Sequence, residues 1–377
     1  MKKLNPHIKV AKSLYEQGIK KNGYYEISPE RQRILAKFKE AAGKTRLLKL
    51  DIPIPNGNKI YAKCEFENPT GSHYDRVYPY LIEILLNTGF LPDKFGLVET
   101  SSGNATPAFT RICKALGYDA WAVLPRPEEL SNARIKLTVK EGASIVYPDP
   151  MIDGYGLPGI AKRMLRLIRE SRQWKKPLWS PNHSTVAETI DAILPLAQEI
   201  VNEINEVIDY FIAIPGNGTT LYGIGAPLKQ LFNHMQIVAV EPYSNPGLFL
   251  LKYPHLRDQY VARGELPQVE PTPTKENIHE YKITMPGAGC YGLTEYFPHI
   301  RASVQLVDLI RQIDDKSKEW EKPVHGGKSV NDLLFESYGF RVGITSAASL
   351  MVALEIAKTV RDKNFVLIFY DLLRERY

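Results

Sequence analysis

Ile214-Pro215-Gly216-Asn217-Gly218-Thr219-Thr220 is the segment of this chain best suited to holding an anion. It follows the apolar run FIAIP at 211–215 and opens a helix-like stretch. Glycines let backbone amides turn inward, a helix N-terminus favours negative charge, and the Thr219 and Thr220 hydroxyls add donors. That chemistry suits a phosphate monoester. A plain strand-to-helix turn would use the same residues with no ligand at all. A second segment, Glu99-Thr100-Ser101-Ser102-Gly103-Asn104-Ala105, also lies between a strand-like and a helix-like stretch. Its free amides and hydroxyls could hold a substrate carboxylate, and Asn104 fits an N-cap. A third, Asn68-Pro69-Thr70-Gly71-Ser72-His73-Tyr74-Asp75-Arg76, is a turn leading into a helix that runs to about residue 88. Asp75 in the first helical turn suits the dipole, and His73 is a candidate proton carrier.

A dinucleotide site is the rival for the first segment. Glu241 ends the next strand, where a ribose-binding acid would sit. The glycine spacing fails, because the third glycine should fall at Leu221 and the next is Gly223. A Walker A lysine is also missing. The three cysteines, Cys64, Cys113 and Cys290, are far apart and form no CxxC pair, so no metal site is expected and a reduced cytoplasmic setting is favoured.

Positioning these loops falls to a strand–helix rhythm. Strand-like segments are 59–66, 95–99, 119–124, 143–148, 209–214, 235–241 and 364–370. Helix-like segments between them include 104–116, 130–141, 158–172, 185–205 and 346–360. Such alternation argues for an α/β fold, with parallel sheets flanked by helices. The first 45 residues read as helices, with Pro29 near the start of one and Gly43 at its end. Residues 149–157 are loop-like, and 242–280 and 309–330 are weakly periodic excursions expected to cover a site or an interface. The chain has 377 residues, 44% hydrophobic and 24% charged, enough for two domains with a large core. No apolar stretch is long enough to span a membrane, and no secretory leader is expected. The formal charge of +6 is uneven: residues 1–50 hold 13 Lys/Arg against 4 Asp/Glu, leaving the remainder net acidic. A basic start of this kind could meet an acidic partner or nucleic acid, or be a solvated helical face; no nucleic-acid motif accompanies it.

The three loop segments, in this order, resemble the fold-type II pyridoxal-phosphate (PLP) enzymes, the tryptophan synthase β-like group that includes cysteine synthase, cystathionine β-synthase and threonine synthase. The resemblance runs from about residue 45 to the C-terminus. In that family an NP-x-G-S-x-K-D-R segment carries the lysine that holds the cofactor as a Schiff base; here it reads NPTGSHYDR, with Tyr74 at the lysine position. A TSGN segment matches SSGNA, which implies Asn104 on the cofactor's ring hydroxyl and Ser101, Ser102, Gly103 and Ala105 around the substrate carboxylate. A GTGGT phosphate cup matches Gly216, Asn217, Gly218, Thr219 and Thr220. IVAVEP at 237–242 is similar to the family's VVGVEP, and GITSAA at 343–348 implies Thr345 at the pyridine nitrogen. The terminal FVLIFYDLLRERY is similar to the family's last strand and following ERY.

The resemblance implies a large unit over 1–89 and 186–377, a smaller mobile unit over 90–185, and a site between them. It also implies a homodimer, an amino-acid substrate and β-elimination or β-replacement chemistry. A phenol forms no imine, and at its ordinary pKa it is a weak base at neutral pH. The expectation is therefore that PLP is held without a covalent bond, with Tyr74 or His73 handling protons. The alternatives are an inactive relative that serves as a binding or regulatory protein, and an enzyme using another phosphorylated metabolite in the cofactor's place.

Overall fold

The computed structural model describes residues 13–101, 103–127, 132–154, 156–263, 285, 287–290 and 293–373. Ser102 and the closing ERY lie outside the described residues, as do the first twelve residues and most of the 242–280 stretch beyond residue 263. Among the described residues ten strands form two sheets. They are β1 Leu47–Lys49, β2 Lys59–Cys64, β3 Gly96–Thr100, β4 Ala120–Val123, β5 Ser144–Val146, β6 Leu178–Trp179, β7 Tyr210–Ala213, β8 Gln236–Pro242, β9 Leu309–Ile313 and β10 Asn364–Phe369. The larger sheet runs β1-β2-β10-β7-β8-β9 and the smaller β5-β4-β3-β6. Every pairing is parallel except that of β1 with β2.

Thirteen α-helices accompany them among the described residues. In chain order α1 is Leu14–Asn22, α2 Pro29–Ala41, α3 Tyr74–Asn87, α4 Ala105–Ala115, α5 Asn132–Lys140, α6 Gly156–Glu170 and α7 Glu188–Glu203. Then come α8 Thr219–Leu231, α9 Gly247–Lys252, α10 Arg257–Ala262, α11 Pro298–Leu306, α12 Val330–Tyr338 and α13 Ile344–Ala357.

Period-two alternation sorts the larger sheet's side chains between two cores. Phe211, Ala213, Ile237, Ala239, Val366 and Ile368 face one core; Ile212, Val238, Val240, Phe365, Leu367 and Phe369 face the other. The first of these also takes Leu97 and Ala120 from the smaller sheet, along with α3, α4 and α7. One continuous core thus joins the two sheets and fixes the cleft between their strand ends. Burial of each such Leu, Ile or Phe is worth about 2 kcal/mol before entropy is counted. Helix α13 is apolar almost all round because it lies inside the second core.

The expected strands and helices form, with ends shifted by a few residues. The reading of 309–330 as an excursion needs correction. Its first residues are β9, paired in parallel with β8. As an edge strand β9 is half-exposed, and Arg311 in its middle is tied to Glu319 and Glu355, so its apolar alternation is weak. Strands β1 and β6 are too short to register in sequence at all.

Buried ion pairs bind α3 and α7 to β2. The Arg76 guanidinium donates from Nε and Nη2 to the two oxygens of fully buried Glu65, each at 2.8 Å, and from Nη1 and Nη2 to Glu199 at 2.7 and 2.8 Å. Lys63, wholly buried, sits 3.0 Å from Glu199 and also bonds Glu203 and the Thr45 carbonyl.

Candidate active site between the two sheets

The loops after β2, β3, β7 and β10 surround one cavity of about 760 Å³. His73, Tyr74, Ser101, Asn104, Gly216, Asn217, Gly218, Thr219, Thr220 and Thr345 all line it. Gly103 and Ala105 belong to the same loop but do not line the cavity. Their amides donate to Ser101 Oγ at 2.8 and 3.1 Å, so the serine hydroxyl, and not Asn104, closes the start of α4. Asn104 is freed for another contact, and its Nδ2 donates to Asp371 Oδ2 at 2.9 Å.

At Gly218 the chain turns with φ +89°, and a Cβ there would meet the Ile300 nitrogen at 2.4 Å. Only glycine allows that approach, which brings the start of α8 against α11. The neighbouring Asn217 uses its side chain twice: Oδ1 accepts the Thr219 amide at 3.0 Å and Nδ2 donates to Ser184 Oγ at 3.2 Å. Asp75 turns back to accept the Thr70 amide and hydroxyl, each at 2.8 Å, which holds the turn that presents His73 and Tyr74. Burial raises Asp75 to about 6.

Three buried polar atoms of cavity-lining residues have no hydrogen-bond partner among the described residues: His73 Nδ1, Asn104 Oδ1 and Thr219 Oγ1. Each would cost on the order of 1–3 kcal/mol if it stayed unpaired. Three in one cavity mark a ligand site of mixed polarity.

The pyridoxal-phosphate dependent enzyme family matches residues 38–371. The chain belongs to this family. A probable cysteine synthase of Bacillus subtilis is 30% identical over 347 residues, covering 92% of this chain and 96% of that protein. The cystathionine beta-synthase of the honeybee Apis mellifera is 28% identical over 367 residues; the chain spans 62% of its length. Among solved structures, a hydrogen sulfide-producing enzyme from Fusobacterium nucleatum superposes with a TM-score of 0.69 at 22% identity, covering 89% of this chain and 97% of that one. That likeness shows the shared fold.

Enzymes of this pyridoxal-phosphate family use that cofactor. The residues present here suit it at the phosphate and ring edges: a glycine loop opening a helix, two hydroxyls and an unpaired amide oxygen. They offer no amine at position 74. Lys63 is no substitute, since its ammonium is held by Glu199 and Glu203. Among the described lining residues the one lysine is Lys162, exposed on α6 at the mouth.

Tyr74 is packed between histidines, its ring centroid 4.2 Å from that of His73 and 5.2 Å from that of His183. Burial pushes its phenol well above the usual range. Burial also pushes His73 down to about 4, so it is neutral at pH 7. Sequence reasoning passed over His183, Ser184 and Tyr370, which also line the cavity. The one signal available was polar density in SPNHST at 180–185.

The same burial sets an acid limit on stability. His299 on α11 is fully buried, donates Nε2–H to the Val186 carbonyl at 2.9 Å, and is pushed from 6.5 down to about 4. It is neutral when folded but protonates near 6.5 when unfolded, so its contribution is present above pH 6.5 and lost as pH falls toward 4. Asp75 and Glu241 are raised by burial, to about 6 and about 7, and act in the opposite sense, favouring the folded state at low pH. The clean measurement is therefore a difference. The stability gap between wild type and His299→Gln is expected to shrink by about 3 kcal/mol between pH 7 and pH 4 in urea melts. An unchanged gap would mean that His299 takes up its proton as readily in the folded protein as in the unfolded chain.

Proposed function

We propose that this cleft binds pyridoxal 5'-phosphate without a covalent bond. In this reading Tyr74 occupies the position of the family's lysine. The chain then acts on an amino acid such as serine or an O-activated serine, by β-elimination or β-replacement. The observation that carries the reading is the convergence of three unpartnered polar groups on one cavity, closed at one end by the glycine loop. The names of the relatives support β-replacement as the reaction class. The bound cofactor would supply an electron sink for the substrate's Cα.

The chain's own residues do the rest. Gly216, Asn217, Gly218, Thr219 and Thr220, at the positive end of α8, hold the phosphate. Asn104 Oδ1 takes the ring hydroxyl, and Thr345 at the start of α13 faces the ring nitrogen. Ser101, its Oγ held by the Gly103 and Ala105 amides, donates its hydroxyl proton to the substrate carboxylate, with Ser102 in the same loop. His73 and Tyr74 wall the reacting side and keep water from it. The homodimer, the cytoplasmic setting and the smaller mobile unit over 90–185 belong to the same proposal.

Asn217 supplies the test. Its carboxamide uses the Thr219 amide that a phosphate would want. Asn217→Asp keeps that bond and adds a charge beside the anion. A like charge about 4 Å away costs one to a few kcal/mol, so PLP affinity should fall at least about tenfold. Asn217→Thr, the family's residue there, should bind no more weakly than wild type. Fluorescence titration decides it, and equal affinity for wild type and Asn217→Asp sinks the phosphate cup.

A further inference from the structure

His183 lies behind Tyr74 in the cavity wall, and a directed chain of hydrogen bonds runs through it. Glu99, fully buried at the end of β3, accepts the Thr100 amide at 2.9 Å and the His183 amide at 3.2 Å. As a carboxylate it can only accept. Its Oε2 is also 3.2 Å from His183 Nδ1, and a carboxylate oxygen that close to a ring nitrogen favours the proton on that nitrogen. The Tyr78 hydroxyl lies 3.0 Å from the same Nδ1 and also bonds Glu99, so its own proton has the carboxylate as acceptor and its oxygen can face Nδ1–H. The opposite nitrogen, Nε2, is then a bare lone pair, 3.3 Å from the Ser184 hydroxyl. Ser184 Oγ accepts Asn217 Nδ2–H, and its own proton remains available for a bare Nε2. Ser184 lines the cavity, as His183 does.

We propose that His183, oriented by Glu99 and reaching the ligand through the Ser184 hydroxyl, is the proton-transfer group of this site. It does the acid–base work for which position 74 has no amine. The proposal rests on the PLP reading above. A proton leaving the substrate's Cα goes to Ser184 Oγ as the serine's own proton passes to His183 Nε2. The ring becomes a cation beside the Glu99 carboxylate, and the reverse path returns the proton. Nothing is oxidised or reduced. The other candidates in the wall are poorer: the Tyr74 phenol is pushed up by burial, and His73 has no acid holding its ring.

The groups facing His183 are Glu99 from β3, Tyr74 and Tyr78 from α3, His73 from the turn before α3, Asn217 by way of Ser184, and His299 from α11. His299 donates to Val186 and is neutral near pH 7, so Glu99 is the carboxylate that sets the tautomer.

Two measurements test this. In protein labelled with ¹⁵N-histidine, without cofactor, the resonance lost in His183→Gln should show protonated Nδ1 and bare Nε2, and Glu99→Gln should abolish that preference. A protonated Nε2 would overturn the proposal, since that nitrogen could then accept nothing from Ser184. With PLP and serine in deuterated buffer, His183→Gln and Ser184→Ala should each slow exchange of the Cα hydrogen by about 10²–10⁴-fold. PLP affinity should change by no more than about tenfold in Ser184→Ala, the loss of one neutral hydrogen bond. Ser184→Ala decides the matter if His183→Gln does not fold. Wild type that binds PLP while both variants exchange at its rate, or while it does not itself exchange, overturns this proposal alone. Wild type that fails to bind PLP overturns the cofactor reading and this proposal with it.

Discussion

Tyr74→Lys, mixed with PLP, should gain a visible absorption band, and borohydride should fix the cofactor's mass on the peptide containing residues 68–76. Wild type should show neither. The turn that presents position 74 is already held: Asp75 bonds Thr70, and Arg76 is clamped by Glu65 and Glu199. Asn104, the 216–220 loop and Thr345 line the same cavity as position 74, so an aldehyde held there would have an amine within the same enclosure. Such proximity can replace about 7–11 kcal/mol of the barrier to a bimolecular encounter. Attack needs a neutral amine. The surroundings that raise the Tyr74 phenol would lower a lysine there, because burial disfavours whichever form is charged. Losing the ring contacts with His73 and His183 should cost about 1–3 kcal/mol, short of unfolding. A folded variant that binds PLP yet forms no covalent bond between about pH 7 and 9 would mean that the cleft does not present the aldehyde to position 74. The metabolite alternative would then lead. Stoichiometric labelling of Lys162 in wild type would instead end the noncovalent reading.

Local signals in the sequence reached the segments that build the cavity but not the contacts that tie them together. The 216–220 loop was legible because an apolar strand, two glycines and a helix start follow one another directly. Buried parallel strands such as β10 were legible because both faces are apolar. What escaped was long-range. Asn104 reads as an N-cap in isolation, yet its side chain goes to Asp371, 267 residues away, while Ser101 closes the helix. Lys63 lies near the cofactor motif in sequence, and only the packing of α7 shows its ammonium held by Glu199 and Glu203. Glu99 and His183 are 84 residues apart and meet because β3 lies beside the segment after β6. None of these contacts has a period or a spacing for sequence to reveal.

Arg76 ends the same motif, and its removal should be the most destabilising single change near the site. Arg76→Met keeps the stem's packing but strands Glu65, which is fully buried with Thr45 and Asn68 as its remaining donors. Breaking a buried pair from one side costs about 3–5 kcal/mol, because the surviving charge stays out of water without its partner. Arg76→Lys keeps the charge but cannot serve two carboxylates as forks, so it should recover only part of the loss. The decisive variant is Arg76→Met with Glu65→Met. Removing both members relieves the stranded charge, and the double variant should be more stable than Arg76→Met alone. Glu199 gives a second readout. Burial works against its charge, but hydrogen bonds from Arg76, then Lys63, hold it down at about 2. Its contribution is present above about pH 4.5 and is lost as pH falls toward 2, and Arg76→Met should flatten that acid arm. If urea melts place Arg76→Met within about 1 kcal/mol of wild type, the clamp does not hold α3, and the fixed presentation of position 74 assumed for Tyr74→Lys loses its support.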